Sequence, residues 1–218
     1  MDQRDVDHTA LVVIKKTNNL EFDDKTKAMR EYAVQNGVPI IKDEGLAFLK
    51  NIIAVKNPKN ILEVGTAIGY SALEMAKVRG AHVYTIERDP KMYEEATKNV
   101  NESAYKDNVT IIFKDALEAF DDVKNIKFDM IFIDAAKAQY TKFFELYTPL
   151  LNENGIVVCD NMLFHGLVSD DVDTTGMTRG LRGLVVKLGR FHDFLFSNDK
   201  FDSTLYDIGD GMSVSILK

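Results

Sequence analysis

The chain has 218 residues, of which 45% are hydrophobic and 28% charged, a composition typical of a folded globular protein. Its hydrophobic runs are far shorter than the roughly 20 residues of a transmembrane helix, and the polar, acidic start "MDQRDVDHTA" resembles neither a secretory signal nor a transit peptide. A net charge of −7 argues against a protein that coats nucleic acid, and the lone Cys159 cannot form an internal disulfide. We therefore expect a cytoplasmic protein with a single domain over residues 1–218.

Residues 1–57 are predicted to form a helical N-terminal extension of that domain. The segment "DKTKAMREYAVQNG" has a helical pattern that should stop at Gly37 and Pro39. The next segment, "DEGLAFLKNIIAV", is a second predicted helix that should stop before Pro58.

From about residue 60, strand-like and helix-like segments alternate. The strand-like runs are rich in β-branched and aromatic residues: "NILEV", "HVYTIE", "VTIIF", "FDMIFID" and "GIVVCD". The helix-like segments between them are residues 69–79, 89–103, 115–123 and 138–152. This alternation predicts βαβ units and a mostly parallel sheet with helices on both faces.

The C-terminal segment "STLYDIGDGMSVSIL" contains two further strand-like runs joined by Gly-Asp-Gly, which indicates an antiparallel hairpin. Together with the five preceding strands, it completes the predicted fold. We expect an α/β, Rossmann-like, mostly parallel seven-stranded sheet with helices on both faces, a C-terminal antiparallel hairpin and the helical N-terminal extension.

Acidic side chains occur at or just after the end of each predicted parallel strand. In open α/β sheets, ligands bind beyond the carboxyl ends of the strands, so these acids should meet at one edge. They are Glu63, Glu87, Asp115, Asp134 and Asp160, the last followed by Asn161. A single acid in this place is commonly only a helix cap, and Asp115 before "ALEAF" fits that role. Five in succession predict a ligand site.

The loop after the first strand resembles a dinucleotide-binding loop but has Ala67 at the second glycine position, between Gly65 and Gly69. That glycine normally lets the backbone approach a pyrophosphate, so a ligand without phosphates is favoured. Glu87, 22 residues beyond Gly65, is placed to accept hydrogen bonds from a ribose diol. Adenosine without phosphates, joined to a cationic group, describes S-adenosylmethionine. Glu63 and Asp134 would supply a negative environment for its ammonium and sulfonium groups. The alternative is a purely structural strand-turn-helix.

A second group of residues, Asp134, Asp160 and Asn161, offers hard oxygen ligands that suit Mg²⁺ or Ca²⁺ rather than Zn²⁺. Successive strand residues point to opposite faces, so Asp160 and Asn161 can converge only if the strand ends there. Lys137 follows Asp134 by three residues, which can place both side chains in one cavity. A lysine at a helix N-terminus is electrostatically unfavourable, so its position beside these acids indicates a role rather than a solvated side chain.

Five motifs resemble those of the metal-dependent class I O-methyltransferases of the catechol and caffeoyl-CoA type: "ILEVGTAIGYSA", "YTIER", "FIDAAK", "CDNMLFHGLV" and "GDGMSVSI". The resemblance covers the chain from about residue 38 to its end. Within that family, "VPI", "GTAIGYSA", "FIDAAKAQYTKFF" and "LFHGLV" are most similar to the bacterial branch of tRNA 5-hydroxyuridine methyltransferases.

The resemblance implies that Asp134, Asp160 and Asn161 bind Mg²⁺ or Mn²⁺. It implies that the methyl donor is surrounded by Ile41, Glu63, Gly65, Ser71, Glu87, Asp115, Ala116 and Asp134. The segment around Ile41 should close over this cofactor through its backbone. The family is usually dimeric, so a homodimer is expected.

The predicted reaction moves a methyl group from S-adenosylmethionine to an acidic hydroxyl on a planar ring. The metal would hold the hydroxyl oxygen beside Asp134, and Lys137 would take the proton, provided that the neighbouring positive charges favour the neutral lysine. The leading substrate is 5-hydroxyuridine in a tRNA anticodon, whose phosphates would contact Arg179, Arg182, Lys187 and Arg190. The alternative substrate is a small catechol or a caffeoyl-CoA-like phenol.

Two other classes of protein remain open at this point. Ala67 argues against a nucleotide-binding oxidoreductase, and the metal ligands with Lys137 argue against an adenosyl-binding regulator without catalysis. Cys159 is predicted to be a small core residue. His165 could line the substrate entrance, and Met162, Phe164 and Leu167 could form either core or an apolar substrate wall.

Overall fold

The computed structural model describes residues 20–163 and 177–218. The part of the predicted extension before residue 20 and the loop residues Phe164, His165 and Leu167 lie outside the described residues. The described part of the extension, residues 20–57, contains two helices, α1 (Asp24–Asn36) and α2 (Asp43–Lys56). α1 ends at Gly37, whose φ of 62° is left-handed, as its predicted stop requires.

The predicted alternation of strands and helices is confirmed from β1 onward. The strands are β1 (Asn60–Val64), β2 (His82–Glu87), β3 (Val109–Phe113), β4 (Phe128–Ile133), β5 (Leu151–Cys159), β6 (Phe201–Tyr206) and β7 (Met212–Leu217). The helices among them are α3 (Tyr70–Ala76), α4 (Pro90–Asn101), α5 (Phe120–Val123), α6 (Tyr140–Tyr147) and α7 (Arg179–Phe196).

The seven strands form one sheet in the order β3-β2-β1-β4-β5-β7-β6. Strands β1 to β5 are parallel, whereas β7 pairs antiparallel with both β5 and β6. The chain moves outward from β1 to β3 in one direction and from β4 in the other. The carboxyl ends of β1 and β4 therefore flank the switch point, where open sheets of this class bind ligands.

Alternate strand residues face two separate hydrophobic cores, one on each side of the sheet. Met130 and Phe132 of β4 belong to the core beneath α1, α2 and α3, whereas Ile131 and Ile133 belong to the core beneath α6 and α7. All four side chains are completely buried. Burial on both faces explains why these strands are hydrophobic throughout rather than alternating with polar residues. In the described part of the chain, no helix is long and apolar enough to cross a membrane.

Each of the four helices predicted between the parallel strands is longer in the sequence pattern than in the structure, and two of them differ most. Of residues 115–123, only Phe120–Val123 is helical, because Asp115 caps a turn by accepting a hydrogen bond from the Leu117 backbone N–H at 2.9 Å. Of residues 138–152, only Tyr140–Tyr147 is α-helical, and a short 3₁₀ segment containing Pro149 follows it.

Strand β5 begins at Leu151, four residues before its predicted start. Its register with β4 shifts between the pairs Phe128–Leu151 and Met130–Ile156. The extra residues include Asn154, whose φ is 57°, and Gly155. A polar, irregular start of this kind lacks the hydrophobic pattern from which a strand is predicted.

Candidate active site

A cavity of about 350 Å³ lies at the carboxyl ends of the parallel strands. All the predicted site residues except Glu63 line it: Ile41, Gly65, Ser71, Glu87, Asp115, Ala116, Asp134, Lys137, Asp160 and Asn161. The fold thus brings residues from six separate segments to one place, as their positions at strand ends predicted.

The glycine loop passes so close to β4 that a side chain is impossible at its first position. A Cβ atom on Gly65 would lie 2.2 Å from the carbonyl oxygen of Asp134, and the φ of Gly65 is 106°. Ala67 has a φ of 47°, and its backbone N–H donates to Glu87 Oε2 at 2.8 Å. Alanine in place of the second glycine is therefore accommodated in the left-handed region by an anchor on the neighbouring strand.

Glu87 fixes the loop and also faces the cavity. Its Oε1 accepts hydrogen bonds from the backbone N–H groups of Arg88 and Asp89, both at 2.8 Å, while Oε2 holds Ala67. A carboxylate has about four lone-pair sites, so one remains for a ligand hydroxyl. This geometry permits the predicted contact to a ribose diol.

Glu63 lies behind the cavity wall rather than in it. It is completely buried, and it accepts hydrogen bonds from the hydroxyls of Ser71 and Thr85, both at 2.5 Å. Burial raises the pKa of Glu63 to about 8, although the two hydrogen bonds oppose that shift. Glu63 therefore orients Ser71, which does line the cavity, and can act on a ligand only through Ser71.

Asp115 and Ala116 form the part of the wall that follows β3. Asp115 accepts from the Leu117 backbone N–H and pairs with Arg88 Nη1 at 3.0 Å, and these two contacts hold the pKa of its carboxyl below the usual value. The Ala116 carbonyl accepts a hydrogen bond from the Tyr147 hydroxyl. Asp115 thus combines its predicted capping role, here of a turn, with a place in the cavity wall.

Asp134, Asp160 and Asn161 converge because β5 ends at Cys159. Asn161 has a φ of 60°, which turns the chain back so that its side-chain amide donates to Asp134 Oδ1 at 3.2 Å. The Asn161 backbone N–H donates to Asp160 Oδ1 at 2.6 Å. The left-handed residue overcomes the strand alternation that would otherwise separate these two neighbours.

Burial raises the pKa of both carboxyls in this cluster. For Asp134 the positive charge of Lys137 opposes the effect of burial, and for Asp160 the charge of Asp134 adds to it, so that the pKa of Asp160 is about 7. Two adjacent acids that resist ionisation, together with an amide, form an all-oxygen donor set that a divalent cation would stabilise. No group of three or more His, Cys, Asp or Glu side chains suited to a metal occurs within residues 20–163 and 177–218, so the Asn161 amide is needed to complete the set.

The structure adds Lys42 and Asp210 to the cavity, neither of which was predicted as a site residue. Asp210 belongs to the Gly-Asp-Gly turn, which was interpreted as a hairpin signal and as the start of the motif "GDGMSVSI", but not as part of the site. The available clue was topological, because an antiparallel β7 beside β5 brings this turn to the same edge as Asp160.

Cys159, Met162 and His192 are not part of the cavity lining. Cys159 and Met162 are buried in the core, as predicted for the first and as one of two alternatives for the second. His192 contacts the Met162 carbonyl oxygen at 2.9 Å.

The helix α7 presents a cationic face beside the cavity. Arg179, Arg182, Lys187 and Arg190 are exposed, while Leu188, Phe191 and Leu195 are buried on the opposite side. Arg179 and Lys187 also line a shallow groove that includes Ala138, the residue after Lys137. Arg179 and Lys187 therefore lie at a groove that reaches the residue after Lys137, and Arg182 and Arg190 are exposed on the same helix.

Comparisons with known proteins identify what this fold and cavity resemble. A family model described as O-methyltransferase matches residues 19–217. The catechol O-methyltransferase of Niastella koreensis is 32% identical over 209 residues, which cover 90% of this chain and 91% of that protein.

Two solved structures have the same fold. One is a Staphylococcus aureus protein provisionally assigned as a caffeoyl-CoA O-methyltransferase, with a TM-score of 0.86 and 39% identity over 98% of this chain and 100% of that one. The other is an O-methyltransferase from Bacillus cereus in complex with S-adenosylhomocysteine, with a TM-score of 0.79 and 24% identity over 92% of this chain and 93% of that one. The second likeness bears on the fold alone.

Proposed function

The chain belongs to the O-methyltransferase family of enzymes, and we propose that it moves a methyl group from S-adenosylmethionine to an acidic ring hydroxyl with the help of a divalent cation. The observation that carries this proposal is the convergence of Asp134, Asp160, Asn161 and Lys137 in the cavity that also contains the glycine loop. Neither an oxidoreductase nor an adenosyl-binding regulator without catalysis requires these metal ligands and this lysine beside the glycine loop.

The methyl donor is proposed to lie along the glycine loop and the ends of β2 and β3. Glu87 would accept a hydrogen bond from its ribose, and Ser71 would contact its amino acid part. Asp115 and Ala116 would face its adenine, with Ile41 covering it from the N-terminal side. The cluster of acids at the other end of the cavity favours the positively charged sulfonium side of the donor.

Mg²⁺ or Mn²⁺ is proposed to bind Asp134, Asp160 and Asn161. With the methyl donor and the cation both bound, the donor would supply an electrophilic methyl group. The cation would favour loss of the proton from the ring hydroxyl. Lys137, in its neutral form, accepts that proton at Nζ. As ligands of the cation, Asp134 and Asn161 would fix the place of the ring oxygen relative to the donor, and such positioning supplies much of the rate gain in transfers between two bound groups.

A small catechol or caffeoyl-CoA-like phenol is the substrate class that the comparisons favour. The Niastella relative matches almost the whole chain and is named for catechol.

The cationic face of α7 favours a second substrate, 5-hydroxyuridine in the anticodon of a tRNA. That base carries an acidic ring hydroxyl, so the chemistry at Asp134 and Lys137 would be the same. Exposed arginines beside the cavity would hold the flanking phosphates while the base enters. The net charge of −7 confines such binding to this surface.

The experiment that separates the two candidates gives the purified enzyme, with S-adenosylmethionine and Mg²⁺, a panel of catechols and tRNA that contains 5-hydroxyuridine. Mass spectrometry then locates the new methyl group. Transfer to catechols alone assigns the small phenol, and efficient transfer to tRNA at micromolar concentration assigns the nucleic acid. Transfer to neither class contradicts the proposed function.

A further inference from the structure

Lys42 and Asp210 meet across the mouth of the cavity. Lys42 Nζ lies 2.6 Å from Asp210 Oδ1, although the residues are 168 positions apart in the chain. Both line the cavity, and the Asp210 side chain is only 14% exposed. The pair therefore joins the start of α2 to the turn between β6 and β7 directly above the acid cluster.

The Asp210 side of this contact is held rigidly. Gly211 has a φ of 86°, and a Cβ atom there would lie 2.6 Å from the Leu163 backbone nitrogen. The backbone N–H groups of Met162 and Leu163 donate to the carbonyls of Gly211 and Asp210, both at 2.9 Å. The turn is thus bound to the segment that immediately follows Asp160 and Asn161, and its position depends on theirs.

The Lys42 side belongs to the short segment 39–42, which lines the cavity from the N-terminal side. Lys42 is the N-cap residue of α2 and makes no capping hydrogen bond. A positive charge is unfavourable at a helix N-terminus, where the backbone N–H groups already create a partial positive charge. The carboxylate of Asp210 offsets this cost, and its attraction directs the lysine side chain across the cavity.

We propose that Lys42 and Asp210 form a clasp that holds the segment 39–42 closed over the bound methyl donor, with Asp210 as the positioning residue. The inference rests on the proposed place of the donor, and it adds a tether between the donor's cover and the acid cluster. Opening the cover requires the pair to separate, so the clasp slows release of the donor and of its demethylated product.

The test measures binding of S-adenosylhomocysteine by calorimetry and its dissociation rate by stopped-flow mixing. We expect Lys42→Met to weaken binding and speed dissociation about two- to fivefold, the range for an ion pair whose lysine is half exposed. Asp210→Asn should weaken binding at least as much, because the Asp210 carboxylate also acts electrostatically on Asp134 and Asp160. The double variant should bind no more weakly than Asp210→Asn, because the contact with Lys42 is already lost there. Lys42→Arg should restore most of the affinity. Lys56→Met, at the other end of α2, is the control and should bind like the parent.

Parent-like binding by Lys42→Met, or fully additive losses in the double variant, would overturn the clasp. The Lys42 variants leave the glycine turn intact, so they test the clasp even if Asp210→Asn folds poorly. Glu87→Ala separates failure of the proposed donor site from failure of the clasp alone. If the parent fails to bind or Glu87→Ala has no effect, the proposed donor site is wrong. If Glu87→Ala weakens binding and Lys42→Met does not, only the clasp is wrong.

Discussion

Asn161 and Gly65 show how single backbone angles build the site. Gly65 was identifiable from the sequence because a glycine after a strand commonly marks a close approach of two backbone segments, and the carbonyl of Asp134 provides that approach. The left-handed φ of Asn161 was not identifiable, because asparagine adopts this conformation only in some contexts. The sequence therefore predicted which residues form the acid cluster but not how Asp160 and Asn161 come to face the same ligand.

Glu63 is a second residue whose surroundings the sequence could not predict. Its position at a strand end indicated a ligand contact, but the hydroxyls of Ser71 and Thr85 enclose it. Those partners come from α3 and β2, so the contact depends on how the elements pack.

The raised pKa of Glu63 predicts that the ligand-free protein loses stability as the pH rises. The folded state keeps a proton that the unfolded chain releases near pH 4.5, so stability present below that pH is lost as the pH approaches about 8. One such proton contributes at most about 1.4 kcal/mol per pH unit. Urea unfolding at pH 5, 6, 7 and 8, with EDTA and without methyl donor, should show a smaller decline for Glu63→Gln than for the parent. Equal slopes would show that Glu63 does not hold this proton.

At the scale of elements, the predictions were most accurate where one hydrophobic face or a strong stop signal defines the segment. Helix α1 ends at Gly37 as predicted, and the five parallel strands occur where their sequences indicated. The predicted helix at 115–123 failed because Asp115 bonds to the chain two residues ahead and to Arg88, which favours a turn.

The helix α7 carries the prediction that separates substrate recognition from chemistry. If its cationic face contacts tRNA phosphates, the double variant Arg179→Gln/Arg182→Gln should bind tRNA more weakly. Its dependence of log affinity on log salt should flatten by about one to two units, because two fewer counterions are released. Methylation of a free catechol should change less than twofold, since such a substrate has no phosphate.

Filter binding at several salt concentrations measures the affinity of the α7 variant for tRNA and the dependence of that affinity on salt. The matched control is Lys59→Gln/Lys127→Gln, which removes the same charge next to the amino ends of β1 and β4, at the opposite edge of the sheet. Equal salt slopes for the parent and the α7 variant would remove α7 from tRNA recognition.

At the scale of the whole molecule, the fold class was predictable because the period of the hydrophobic pattern changes repeatedly between strand and helix. The sheet order and the antiparallel position of β7 confirm the expected Rossmann-like architecture with its C-terminal hairpin. The contact of Asp210 with Lys42 was not predictable, because the two residues are 168 positions apart in the chain. The homodimer and the cytoplasmic location stay predictions.

The central claim is that methyl transfer to a ring hydroxyl takes place at the acid cluster and needs a divalent cation there. The most direct measurement is the rate of methyl transfer to the best substrate of the panel, before chelation, in excess EDTA, and after Mg²⁺ or Mn²⁺ is restored. We predict that EDTA reduces transfer to background and that either cation recovers it. Asp160→Ala should be inactive with and without added cation, while circular dichroism shows that it retains its fold. Full activity of the parent in excess EDTA would contradict the account.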